Sequence, residues 1–144
     1  MNAPEPSSDS LGTVELRIPS KPEWVAVARL AVAAVANRLP FSVEEIEDLK
    51  LAIAEACTIC IQQGPGSQAI DILCHAASRE LRVEARDGRY RAREGKPVVK
   101  APPVIAVEGE GLGIFLIQAL MDKLDYRIDP QIGTELIMTK RVGA

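Results

Sequence analysis

Residues 42 to 60 narrow the possible folds more than any other part of this chain. Ser42-x-x-Glu45 has the spacing of a capping box, in which the serine hydroxyl and the glutamate carboxylate each satisfy a free amide at a helix start. Behind it Ile46, Leu49, Ile53, Ala56 and Cys60 recur every three or four residues and form the apolar stripe of one long helix. Such a stripe has to be laid on another layer of structure. Positions 48, 51, 55, 59 and 62 fall along a different side, so the carboxylate of Glu55 and the side chain of Ile59 stand one turn apart and away from the stripe.

The other layer is legible in the runs that alternate at period two. Thr13 to Ile18 sets Val14, Leu16 and Ile18 against Glu15 and Arg17, a half-buried strand. Pro19-Ser20-Lys21-Pro22 stops it, with Ser20 placed to cap a first helix from Pro22 to Leu39 that carries Val25, Ala28/Arg29, Val32 and Val35 at helical spacing. Pro40 ends that helix, and Gly64-Pro65-Gly66-Ser67 is a turn after the second. Two strands follow, Ala69 to Ala76 and Leu81 to Asp87, joined by a short turn at 77–79. A third helix from Gly111 to Lys123 shows Ile114, Ile117 and Met121 on one face. Leu124 to Ile128 and Glu135 to Lys140 then form a hairpin around Asp129 to Gly133. The order β-α-α-β-β-loop-α-β-β predicts an α+β two-layer sandwich, a mixed and mainly antiparallel sheet covered on one face by helices. Residues 1–12, rich in Pro, Ser and acidic side chains, read as a disordered tail before a single domain at 13–142. Gly88 to Glu110 loses all regularity, and a loop of that length inside a compact domain is a functional suspect.

Composition closes off several classes. With 144 residues and 47% hydrophobic side chains the chain buries a core without staples, and 3% aromatics means Val, Ile, Leu and Ala must build it. A net charge of −3 lacks the basic face that nucleic acid requires. No secretory signal opens the sequence, and the apolar stretch Trp24 to Val35 is interrupted by Arg29 and too short to span a bilayer. A cytoplasmic protein without a membrane contact is expected. Cys57, Cys60 and Cys74 cannot all pair, which suits a reducing compartment. With His75 they number four possible zinc ligands, yet Cys74 and His75 are neighbours on a strand and point to opposite faces. Tetrahedral coordination is not met, so no metal site is expected there.

Taken singly, the polar residues of interest have ordinary readings. Glu55 is a solvated helix carboxylate, and Asp87-Gly88 is a turn signal. Gly111-Leu112-Gly113 is a weak phosphate-loop signal, and Gly133-Thr134 is a turn with a β-branched strand starter. Lys50, Arg29 and Arg38 are surface charges with nearby acidic partners.

Taken together and in order, they resemble a known family. The helix segment Ile-Glu-Asp-Leu-Lys-x-Ala-x-x-Glu-Ala-Cys-Thr (46–58), Asp87, the run Glu-Gly-Leu-Gly-Ile-Phe-Leu-Ile-x-x-Leu-Met-Asp (110–122) and Gly133-Thr134 look like the motifs of the RsbW-type anti-sigma factors. Those proteins are also serine-protein kinases and carry the GHKL, or histidine-kinase-like, ATPase fold of the Bergerat type. The likeness runs from about Val14 to Lys140. It implies ATP as ligand, with Glu55 as the catalytic carboxylate that orients or deprotonates an attacking hydroxyl. It further implies Asp87 as acceptor for the adenine amine, Gly111 and Gly113 as the approach of backbone to phosphate, and Thr134 as a hydroxyl beside the nucleotide. The 88–110 loop takes the place of the ATP lid.

The chain departs from the pattern in four places. Ile59 stands where the family has the asparagine that holds magnesium, and an isoleucine offers that ion no oxygen. Gln63 replaces a common histidine, the glycine after Asp87 comes one residue early, and Glu110 replaces a glycine. The resemblance implies a regulator that sequesters a sigma factor, is countered by an anti-anti-sigma factor, and commonly works as a homodimer. Two readings follow, an active ATP-dependent kinase of the anti-anti-sigma partner, or a binding module that lost phosphotransfer with its magnesium ligand. The second is favoured. A detached histidine-kinase ATPase domain fits less well, since His75 is the only histidine.

Overall fold

The computed structural model describes residues 9–64, 67–87, 110–129 and 132–143. In chain order the elements are β1 (Ser10–Pro19), a 3-10 turn (Pro22–Trp24), α1 (Val25–Ala36), α2 (Val43–Gln63), β2 (Ala69–Ala77) and β3 (Glu80–Asp87), followed by α3 (Glu110–Leu120), β4 (Lys123–Asp129) and β5 (Gly133–Arg141). The strands form one sheet in the order β1-β2-β3-β5-β4, and every pairing among them is antiparallel. Among the described residues no helix is long and apolar enough to cross a membrane.

Period two decides which face is covered. Ile18 of β1, Ile70, Ile72 and Cys74 of β2, Leu81, Val83 and Ala85 of β3, Leu124 and Tyr126 of β4, and Leu136 and Met138 of β5 all point to the helical layer and are buried. The opposite face is open and polar, as an antiparallel sheet permits. Among the helices α2 is central, packed on β3 and β5 with α1 on one flank and α3 on the other. It starts as expected: Ser42 Oγ accepts from the Glu45 amide at 3.1 Å, and Glu45 Oε1 accepts from the Ser42 amide at 2.8 Å. Its buried arc is wider than the stripe, taking in Ala52, Cys57 and Ile59, the last of them under Gly113 of α3.

Several boundaries move, each for a non-local reason. β1 begins at Ser10, so Ser10 and Gly12 pair with Ala77 and Ala76 rather than belonging to a tail. Ser20 does not cap α1, because the helix starts later, with Trp24 at its cap position, while the Ser20 amide bonds the Gln68 carbonyl at 3.1 Å and carries the β1–β2 pairing onward. The chain enters α1 through the 3-10 turn behind Lys21, with no side-chain cap. α1 closes at Ala36 as Arg38 and Leu39 donate to the carbonyls of Val35 and Ala36, the tighter i→i+3 winding common at helix ends. α3 stops at Leu120, since the Asp122 amide already bonds Thr139 of β5. The loop expected from Gly88 to Glu110 ends one residue sooner, since Glu110 opens α3, and its 88–109 part, the 1–8 part of the expected tail, and residues 65–66 and 130–131 lie outside the described residues.

Candidate nucleotide site

Glu55 sits mid-way along α2, half-buried, where α3 crosses. Gly113 of α3 faces it. A Cβ at that position would lie 3.2 Å from Glu55 Oε2 and 3.2 Å from Ile59 Cδ1, so α3 approaches this carboxylate to within the thickness of a backbone. Gly111 and Gly113 both lie in the first turn of α3. Backbone amides in that turn have no carbonyl partner within the helix, and they stand at its positive end. Glu55 and Gly113 face each other directly, and Gly111 lies in the same turn of α3.

Ile59 is not on an open side of α2. It is 1% exposed, filling the seam under Gly113. An apolar side chain there packs α3 onto α2 and supplies no ligand to a hard cation. The residues present do not fit a magnesium ion held by an oxygen one turn from Glu55. Among the described residues no group of three or more His, Cys, Asp or Glu side chains is arranged to hold a metal ion.

The second part of the site lies at the far end of α2. Asp87 ends β3 pointing into the helical layer, 1% exposed. It abuts Gly64, the residue that closes α2, whose amide bonds the Cys60 carbonyl at 3.0 Å. A Cβ on Gly64 would collide with an Asp87 carboxylate oxygen. In the sequence Gly64 carries only a turn signal, and its place beside Asp87 follows from the packing of α2 on β3. Burial pushes the Cys60 thiol well up, with Cys57 and Asp87 adding to the effect through their charge. Burial likewise raises Cys57 to about 12 and Cys74 to about 11. All three thiols are free, buried and unreactive in this state.

Thr134 completes this end. The β3–β5 register pairs Arg86 with Glu135, and the next step along both strands sets Thr134 beside Asp87. Its hydroxyl is buried and meets no hydrogen-bonding partner among the described residues. Such a group costs about 1–3 kcal/mol unless something bonds it. An orphaned hydroxyl next to a buried acceptor suits a heterocycle edge that both donates and accepts. From Gly64 back to Glu55 the helix rises about 13 Å, the reach of an extended nucleotide. An adenine nucleotide therefore fits the donor and acceptor set, whereas its magnesium does not.

The opposite face holds no part of this site. A depression of about 430 Å³ there is lined by Glu15, Arg17, Asp71, Leu73 and Arg86 among others. Arg17 already pairs with Asp71 at 2.6 Å. His75, on the same face, has Nε2 2.7 Å from Glu84, whereas Cys74 points into the core.

Comparison with known proteins bears on this arrangement. The family model described as histidine kinase-like ATPase domain matches residues 18–140. A serine-protein kinase RsbW of Bacillus pumilus is 32% identical over 92% of this chain and 88% of its own length. One from Oceanobacillus iheyensis is 36% identical over 90% and 87%. A crystal structure of RsbU and RsbW domains from Mycobacterium tuberculosis superposes with a TM-score of 0.67 at 14% identity. It covers 90% of this chain and 32% of that one, and at that identity it speaks for the fold alone.

Proposed function

The chain belongs to the histidine kinase-like ATPase family and is related to the RsbW serine-protein kinases, and from that membership we propose an anti-sigma regulatory factor that binds ATP without transferring its phosphate. In this reading the protein holds a sigma factor inactive in the cytoplasm and yields it when an anti-anti-sigma factor competes for the same regulator. Asp87 accepts from the adenine amine and Thr134 bonds the neighbouring ring or ribose edge. The first-turn amides of α3 at Gly111 and Gly113 receive the phosphates.

The observation that carries the binding-only reading is Ile59. Phosphoryl transfer needs a cation to gather and neutralise the phosphate oxygens, and here the ligand position is an apolar side chain locked in the α2–α3 seam. Glu55 can orient a hydroxyl, yet without the cation that alone gives little transfer. Incubating the protein with ATP, magnesium and the cognate anti-anti-sigma factor is expected to give no labelled phosphoserine. Labelling that disappears in Glu55→Ala would instead establish the kinase. Ile59→Asn should raise transfer, and it should also lower stability by about 1–3 kcal/mol, because an amide replaces a buried apolar group. If transfer stays absent, the missing ligand is not what limits it.

The kinase reading keeps one observation in its favour, the half-buried Glu55 held against Gly113. A homodimer is also part of the proposal. α1 is apolar on nearly every side, with Trp24, Val27 and Leu30 exposed beside it or on it, and the adjacent edge strand β1 exposes Leu11 and Val14. Sedimentation should show a dimer, and Leu30→Glu should shift it toward monomer. A wild-type monomer at tens of micromolar would remove this element.

A further inference from the structure

Lys140 is the one inward position of β5 where the alternation Leu136, Met138 is continued by a charge. It is 8% exposed, and its ammonium has two partners on two helices. Nζ lies 2.6 Å from the carbonyl oxygen of Leu120, the last residue of α3, and 3.3 Å from Asp48 Oδ2 on α2. The Leu120 carbonyl is one of those a helix leaves without an internal partner, at its negative end. Next to it the turn is latched to the same strand, with the Asp122 amide bonding Thr139 O at 2.9 Å and Asp122 Oδ2 accepting the Arg141 amide at 2.7 Å. Burying an ammonium costs several kcal/mol that a methionine would not incur, a cost these two partners offset.

We infer that Lys140 is a positioning residue for the nucleotide site, fixing the angle of α3 against α2 from the end remote from the phosphates. This rests on the nucleotide reading above. Gly113 is about 10 Å along the helix from Leu120, so a tilt of about 6° about the pinned end moves Gly113 by about 1 Å. The glycine faces both Glu55 and Ile59, and such a shift opens or closes the gap between the α3 amides and that carboxylate. Asp48 supplies the second anchor and ties the angle to α2 rather than to the sheet alone.

The experiment uses the full chain and a fluorescent ADP analogue at a temperature where circular dichroism shows every variant folded. Lys140→Met should weaken binding about tenfold, and Lys140→Arg should restore it to within about threefold of the wild type. Met138→Val, a core change on the same strand, should lower stability and leave affinity unchanged. Hydrogen exchange without nucleotide should be faster in Lys140→Met at the amides of 113–117. Should Lys140→Met not fold, Asp48→Asn removes one anchor from a half-exposed position and is expected to act in the same direction. Unchanged affinity in these variants, or unchanged exchange along α3, overturns the inference. A wild type that binds no nucleotide would overturn the proposed ligand instead, and exchange along α3 would then decide the role of Lys140 by itself.

Discussion

Thr134 carries a buried hydroxyl that the proposed nucleotide would satisfy. Its side chain is fully buried on β5, its neighbours along the inward face are Leu136 and Met138, and its hydroxyl has no partner among the described residues. A valine has nearly the same shape without the hydroxyl. Thr134→Val is therefore expected to leave the nucleotide-free protein as stable as the wild type, or more stable by up to about 1 kcal/mol, since a desolvated donor is removed. The same change should weaken adenine nucleotide binding by about tenfold, the worth of one hydrogen bond made only in the complex. Urea denaturation and nucleotide titration together read the two effects. A threonine serving packing alone would lose stability on substitution and keep its affinity. Gly64 is constrained differently. Its φ of −119 is open to any residue, so the glycine answers to space beside Asp87 rather than to backbone conformation.

At the scale of elements, α2 was readable because its determinants are local: a cap within four residues and a stripe within one helix. The strands were readable for the same reason, and the motifs marked Glu55, Asp87, Gly111, Gly113 and Thr134 through family likeness. What escaped depends on partners distant in the chain. Ile59 stood on the side of α2 away from the stripe, and only the placement of α3 turns that side into a second buried seam. Ser20 has the residue type of a cap, but its amide continues the sheet to the Gln68 carbonyl and the helix begins only after Trp24. Glu45 also does more than its box requires. Besides the Ser42 amide it accepts the Gly143 amide at 2.8 Å, which ties the end of the chain to the start of α2. The amides of Ser42 and then of Gly143 hold its carboxyl below the ordinary 4.5. A carboxyl with a depressed folded value stabilises the protein fully above its unfolded value and loses that contribution as pH falls through the folded one. The melting temperature of the wild type should thus exceed that of Glu45→Gln by a constant margin above about pH 5, and the margin should shrink on acidification below that. A margin independent of pH down to the acid transition would mean that the ionised form is not what holds the two ends.

The whole molecule divides into a helical side with the candidate nucleotide residues and an open side built as a charge ladder. Register places Arg17, Asp71, Arg86, Glu135 and Arg127 in one row, a residue from each of the five strands with the sign alternating across the sheet. Each charge in the row has the opposite sign beside it, as in Arg86 Nε to Glu135 Oε2 at 2.6 Å and Arg17 Nε to Asp71 Oδ1 at 2.6 Å. In the adjacent row Glu84 is shared by His75, Arg82 and Arg86. Directly opposed unlike charges stabilise an antiparallel sheet, and most such pairs on a surface contribute little because water screens them. Glu135 is the exception, at 2% exposure. Removing it leaves two guanidinium groups side by side without the anion between them. Glu135→Ala is accordingly expected to cost about 2 kcal/mol by chemical denaturation, whereas Glu135→Ala in an Arg86→Ala background should cost distinctly less, a coupling that a double-mutant cycle isolates. Because the ladder faces away from α2 and α3, nucleotide affinity should be the same in all three variants. An affinity that tracks the loss of the ladder would show that the sheet transmits strain between its faces, and the separation of a structural side from a binding side would then fail.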